Sequence, residues 1–137
     1  MKTIFVILIS ISLPFSVLSS RVEPKNVEPV VYKGIKFSAP HWGKTENRDQ
    51  NGGYIEAWDI KRNELLWELK VYGIHYVRGL EGDVQDIFIT SLKVEEEKLI
   101  VTNERDDTFI IDINTKEIIP KKLVYQSDKP RWWEFWK

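Results

Sequence analysis

His41 and His75 are the only imidazoles in the chain, so acid–base or metal chemistry near neutral pH would have to be built around them. They lie in different segments and lack the His-Glu-x-x-His spacing that sets two ring nitrogens on one helix face. Carboxylates occur close together at Asp83 and Asp86 and again at Asp106 and Asp107. Such a pair can do general acid–base work when burial raises one pKa and leaves the other group ionised. An Asp in a turn needs no such role, because its side chain bonds the local backbone. Asp112-Ile113-Asn114 lacks the remaining ligands and the glycine of a calcium loop. Ser38 and Ser91 occupy no nucleophile elbow, and Gly52-Gly53 is not followed by the Lys-Ser/Thr of a phosphate loop. There is no cysteine, hence no thiolate nucleophile, thiolate metal site or disulfide. These residues point to no catalytic group, no metal site and no cofactor.

Recognition has better candidates. The polar segment His41–Gly53 spans 13 residues and mixes one rigid aromatic with varied hydrogen-bonding groups. Such a composition suits binding, and His41, Trp42, Arg48 and Asp49 are its candidate contacts. A second loop, 73–83, offers His75. The C-terminal run Arg131-Trp132-Trp133-Glu134-Phe135-Trp136-Lys137 places four aromatics in seven residues. Left exposed they would form a sticky patch, so Trp132, Trp133 and Trp136 are expected either to seal the domain or to dock on a partner.

The elements between these segments read as strands. Val30-Val31-Tyr32 and Ile35-Lys36-Phe37 flank Lys33-Gly34, a tight-hairpin signal. Tyr54 to Ile60 alternates, with Ile55, Ala57 and Asp59 on one face. Leu65, Trp67, Leu69 and Val71 form an apolar face opposite Glu68 and Lys70. Lys61-Arg62-Asn63-Glu64 makes the turn between them, with Asn63 suited to a left-handed conformation. A long strand from Val84 to Val94, a turn at Glu95-Glu96-Glu97 and a return at Lys98–Asn103 follow. Thr108–Ile113 and Lys116–Ile119 form the last hairpin. No capped helical stripe appears. The expected fold is all-β: antiparallel hairpins or a meander, arranged as propeller-blade-like sheets or a small sandwich or barrel.

One pattern occurs twice at an offset of 53 residues. Asp59-Ile60-Lys61-Arg62-Asn63-Glu64-Leu65-Leu66 returns as Asp112-Ile113-Asn114-Thr115-Lys116-Glu117-Ile118-Ile119. With Ala57 before it and Trp67 after it, the first copy resembles the repeat of quinoprotein-type (PQQ-like) β-propellers, roughly Ala-x-Asp-x-x-Thr-Gly-Lys-x-x-Trp. Ala57, Asp59 and Trp67 match in place; Arg62, Asn63 and Glu64 depart. The second copy keeps Asp112 and Thr115, has Lys116 for Gly, and has Pro120 at the Trp position. The resemblance implies blade-like hairpins with Trp67 as a packing residue. Some eight strands make two blades, and a propeller needs about four or more. No cofactor or catalytic residue of that family maps onto this chain.

The N-terminus reads as an address. Lys2 precedes an apolar run from Ile4 to Leu18, and Val17 and Ser19 suit cleavage after residue 19. The run is short for a bilayer span, which takes about 20 residues, and Pro14 interrupts it. Residues 1–19 are thus expected to be a signal peptide, 20–29 a Pro-containing linker, 30–125 a single all-β domain and 126–137 an aromatic tail. The protein is expected to be periplasmic or secreted, without a transmembrane segment after cleavage. Loss of Lys2 leaves 19 basic against 21 acidic side chains, a net charge of −2. That balance gives no drive toward nucleic acid. The reading reached is an exported binding or assembly module that engages an envelope partner or ligand, with a homo-oligomer possible. The alternatives are a small periplasmic hydrolase using a carboxylate/His pair, and an inhibitor or accessory subunit of an envelope enzyme.

Overall fold

The structure is a computed structural model and describes residues 21–120; Trp132, Trp133, Trp136 and the expected signal segment lie outside the described residues. Two four-stranded antiparallel meanders make up the fold, which is all-β as expected. The first runs β1 (Val30–Tyr32), β2 (Ile35–Ser38), β3 (Tyr54–Asp59) and β4 (Glu64–Lys70). The second runs β5 (Ile89–Glu95), β6 (Lys98–Asn103), β7 (Thr108–Asp112) and β8 (Ile118–Ile119). Each strand pairs only with its neighbours in sequence. Helix is limited to a 3-10 turn at Gly43–Glu46 and one α turn, α1, at Gly82–Gln85.

The doubled sequence pattern is a doubled turn. Asp59 Oδ1 accepts the Lys61 and Arg62 N–H groups at 2.9 and 3.0 Å. Asp112 Oδ1 accepts those of Asn114 and Thr115 at 2.8 and 3.0 Å. Asn63 and Lys116 then take positive φ at 53° and 63°. Asn tolerates that region at little cost. The β1–β2 and β5–β6 turns correspond as well. Lys33-Gly34 and Glu96-Glu97 both have two central residues at positive φ, as a right-twisting two-residue hairpin requires. Ile60 N–H bonds Gly34 O, and Ile113 N–H bonds Glu97 O, both at 3.1 Å. Lys33 also reaches Glu97 at 2.9 Å, so the two equivalent turns touch.

Register follows the same correspondence. Ile35 pairs with Asp59 as Lys98 pairs with Asp112, and Trp58 pairs with Leu65 as Ile111 pairs with Ile118. The β1–β2 turns are 63 residues apart and the β3–β4 turns 53. The first sheet therefore holds ten extra residues between β2 and β3, and they build the 41–53 loop.

Phe37, Ile55 and Ala57 from the first sheet close on Leu99, Val101 and Ile111 from the second, all fully buried. Burial on that scale contributes about 1.5–3 kcal/mol for each large side chain. Trp67 packs at this core with its ring 5.8 Å from that of Phe37, as expected of a packing residue.

Three local expectations are corrected. A bulge at Ala57/Trp58 sets Trp67 opposite Ala57 and Leu65 opposite Trp58. Leu65 therefore leaves the face it was expected to share with Trp67. In the second sheet Ile119 stands opposite Ile110, so the structural counterpart of Trp67 is Ile119 and not Pro120. The strand expected from Val84 begins only at Ile89. Val84 and Gln85 lie in α1 instead, where Gln85 Nε2 bonds the carbonyls of Leu80 and Glu81 at 3.1 and 3.2 Å.

Replacing Asp59 or Asp112 with Ala removes two turn hydrogen bonds and should lower the urea midpoint of each variant. Urea titration checks this; unchanged midpoints would mean that the turn backbone holds itself.

Candidate functional site

The long loops gather at one end of the sheets and are bonded to each other. Gln50 is buried; its Nε2 donates to Gly52 O and Tyr72 O at 3.0 and 2.9 Å, and its Oε1 accepts Ile74 N–H at 2.9 Å. Asp86 is buried too, and accepts from Tyr76 Oη at 2.5 Å and Asn51 Nδ2 at 2.9 Å. Burial and that bond push the Tyr76 phenol up to about 12. The backbones approach so closely that a Cβ on Gly52 would stand 2.5 Å from Ile87 O. The two expected recognition loops are therefore one bonded unit. Asp83 stays exposed as a turn acid, whereas the buried Asp86 is a fastening for the loops.

Phe88 is the hub of this end. It is 1% exposed, with the His41 ring stacked on it at 5.0 Å and Trp42 edge-on at 5.5 Å. The Arg21 guanidinium lies 4.7 Å from its centroid. Arg21 also donates to the carbonyls of Asp83 and Asp86 at 2.7 and 2.6 Å and to both oxygens of Glu104. Burial works to raise the Glu104 pKa, but Arg21 and the Phe88 N–H outweigh it and hold the carboxyl below its ordinary value. The 21–29 segment, expected as a linker, is thus clamped at Arg21, and Val27 packs on the core.

A cleft of about 270 Å³ opens beside this hub, lined by Val22, Pro24, Trp42 and Phe88 together with Arg21, Glu23, Asp83 and Asp86. Ligand pockets usually exceed about 300 Å³, so it suits one apolar side chain better than a whole small molecule. Trp42 is 47% exposed at its mouth. On the 73–88 segment Val77, Leu80 and Val84 are more than half exposed. They line a second groove, of about 420 Å³, together with His75 and Arg105.

Arg48 and Asp49 sit elsewhere, on the outer face of the first sheet. Glu56 and Glu68 pair directly across β3 and β4, where like charges repel. Arg48, its side chain only 8% exposed, bonds Glu56 at 2.5 Å and Glu68 at 2.6 Å and also reaches Glu46. Asp49 accepts from Tyr54 Oη at 2.5 Å and Lys70 Nζ at 2.6 Å. Those bonds, Lys70 first, hold its carboxyl below the ordinary value. Burial, with Asp49 assisting, pushes the Tyr54 phenol up to about 12. Arg48 is therefore saturated by its own chain. The like-charge pair that it neutralises is a matter of strand register, which the linear sequence does not display.

The geometry does not assemble an acid–base pair on either histidine. Both His41 nitrogens are shielded from solvent and have no hydrogen-bond partner, and His75 is exposed. Among the described residues no three His, Asp or Glu side chains are arranged to hold a metal ion. No helix among them is long and apolar enough to cross a membrane.

Arg48→Met leaves Glu56 and Glu68 facing each other and should cost about 2 kcal/mol, less than a fully buried pair because Glu68 is a third exposed; urea unfolding measures it. Burial, partly opposed by Glu104, holds the His41 imidazole below its ordinary 6.5. The unfolded chain then binds that proton more readily. Stability is full above 6.5 and falls as pH drops through 6.5 toward the lower folded value. Asp49, Glu97, Glu104 and Asp112 are held below ordinary carboxyl values, so their contribution is lost only in more acid solution. His41→Phe keeps a ring on Phe88 and should flatten the fall in Tm between about pH 7 and about pH 5; an unchanged slope would remove His41 as its source.

In comparisons with known proteins, no family model matches this chain and no curated protein matches it.

Proposed function

We propose that this chain is an exported, non-enzymatic binding module, built from two PQQ-like propeller-type sheets, that recognises an envelope protein with its loop end. The observation that carries the reading is a bonded loop surface with apolar side chains left outside. Gln50, Asn51 and Asp86 fasten the 41–53 and 73–88 loops together, while Trp42, Val77, Leu80 and Val84 stay exposed. Preorganised loops lose little entropy on docking, and exposed apolar groups clustered on one surface mark protein interaction sites. The small cleft beside Trp42 offers a pocket for an anchoring side chain. The Asp59 and Asp112 turns support descent of both sheets from one blade-like unit. The expected export signal supports the compartment.

Affinity capture from envelope extracts tests this, using the mature chain, a Trp42→Ala variant and a Leu80→Asp/Val84→Asp variant. Recovery of the same partner should fall about tenfold or more in both variants, as when an interface anchor is removed. Equal recovery with all three proteins would move the binding surface away from the loop end.

A further inference from the structure

The two sheets pack head to tail. With β1–β2 matched at an offset of 63 and β3–β4 at 53, Phe37 and Ala57 correspond to Ile100 and Ile110. The first two are fully buried in the shared core, whereas the second two are half-buried on the outer face of the second sheet. In the other direction, Ile111 and Ile113, buried in the core, correspond to Trp58 and Ile60 on the outside of the first sheet. The internal interface thus joins a front face of one blade-like unit to the back face of the next. Among the described residues each molecule is left with an unmatched back face on its first sheet and an unmatched front face on its second.

The front face of the second sheet keeps apolar character, and so does the turn end of the back face of the first; at its loop end that back face is covered by Arg48 bound to Glu56 and Glu68. On the back face Val31, Ile60 and Leu65 are 62%, 49% and 46% exposed. On the front face Ile100, Ile110 and Ile119 make one cross-strand row. A groove of about 550 Å³ runs along Ile100 and Ile110, rimmed by Glu95, Glu96 and Lys98. The back face carries Lys36 where the buried one has Leu99.

We propose that a second copy of this chain occupies each leftover face, the first sheet of one molecule docking its back on the front of the second sheet of another. The partner is argued from continuity: the contact repeats, between molecules, the front-to-back packing that each molecule already contains. Such a contact is heterologous, and it closes into a ring when the rotation permits. Propellers have about four to eight blades, so about two to four copies would complete one. Ser38 and Glu56 replace the counterparts Val101 and Phe109 on the back face. The contact between molecules is therefore more polar than the internal one, and assembly should depend on concentration. The copy number rests on the propeller-type reading of the sheets proposed above; the contact itself uses the sheet faces and does not rest on the loop-end reading.

Sedimentation velocity of the full mature chain tests it. The expected result is a concentration-dependent rise to two, three or four times the monomer mass. Leu65→Lys blocks the back face and Ile110→Lys the front face, and each variant alone should sediment as a monomer. Mixed in equal amounts they should form a heterodimer and nothing larger, because one intact back meets one intact front. That outcome also shows both variants to be folded, and Val31→Lys serves as a second back-face variant. Monomer at the highest soluble concentration overturns the proposal. So does a mixture that stays monomeric while circular dichroism shows both variants folded. So too does assembly that appears only after residues 121–137 are removed, since the chain's own C-terminal segment would then be the occupant.

Discussion

The packing of one sheet on the other is the constraint from which the rest derives. A four-stranded meander of short strands buries too little by itself, and three or more strands need a second layer to cover their apolar face. Here Phe37, Ile55 and Ala57 obtain that layer from Leu99, Val101 and Ile111. The ends of the strands are fixed in space by this contact. The 41–53 and 73–88 loops leave those ends, so the sheet packing brings them side by side. Gln50 and Asp86 fasten them there.

Charge is handled differently on the two sides of the first sheet. The inner side excludes it. The outer side concentrates it, with Glu56 and Glu68 in direct register and Arg48 drawn down from the loop to neutralise them. An arginine so committed ties the base of the loop to the strands. His41 shows the opposite case. Its ring serves as an apolar slab on Phe88, with both nitrogens shielded and without partners, and burial disfavours its charged form.

Much of this was legible in the residues. Alternation sets Ile55 and Ala57 on one face, which the structure buries; Lys33-Gly34 marks the first hairpin, and the Asp of each repeat accepts the turn amides as its type suggests. Most of the lost details share a physical cause: they depend on pairing across the chain. A bulge at Leu66 moves Leu65 to the other face, although the linear alternation runs on unbroken. Val84 reads as a strand residue by propensity, but the Gln85 side chain offers the local carbonyls a helical turn. The roles of Arg48 and Asp86 come from partners 8 to 35 residues away. The clamp formed by Arg21 on Glu104 spans 83 positions, and nothing in a Pro-containing linker announces it.

The ten-residue difference between the two β2–β3-type connections separates two duties that most small domains combine. In the second sheet the same junction is a short polar turn, in which Asn103 Oδ1 accepts the Arg105 and Asp107 N–H groups at 2.9 and 3.0 Å. One half of the molecule thus shows the minimal form of the scaffold and the other its elaborated form, on matching strand registers. The chain carries its own internal control: what the scaffold needs in order to fold can be read from Asn103 to Asp107, and what was added to it from His41 to Gly53. A grafted loop at Asn103–Asp107 would enter a position that the architecture has already shown it can enlarge.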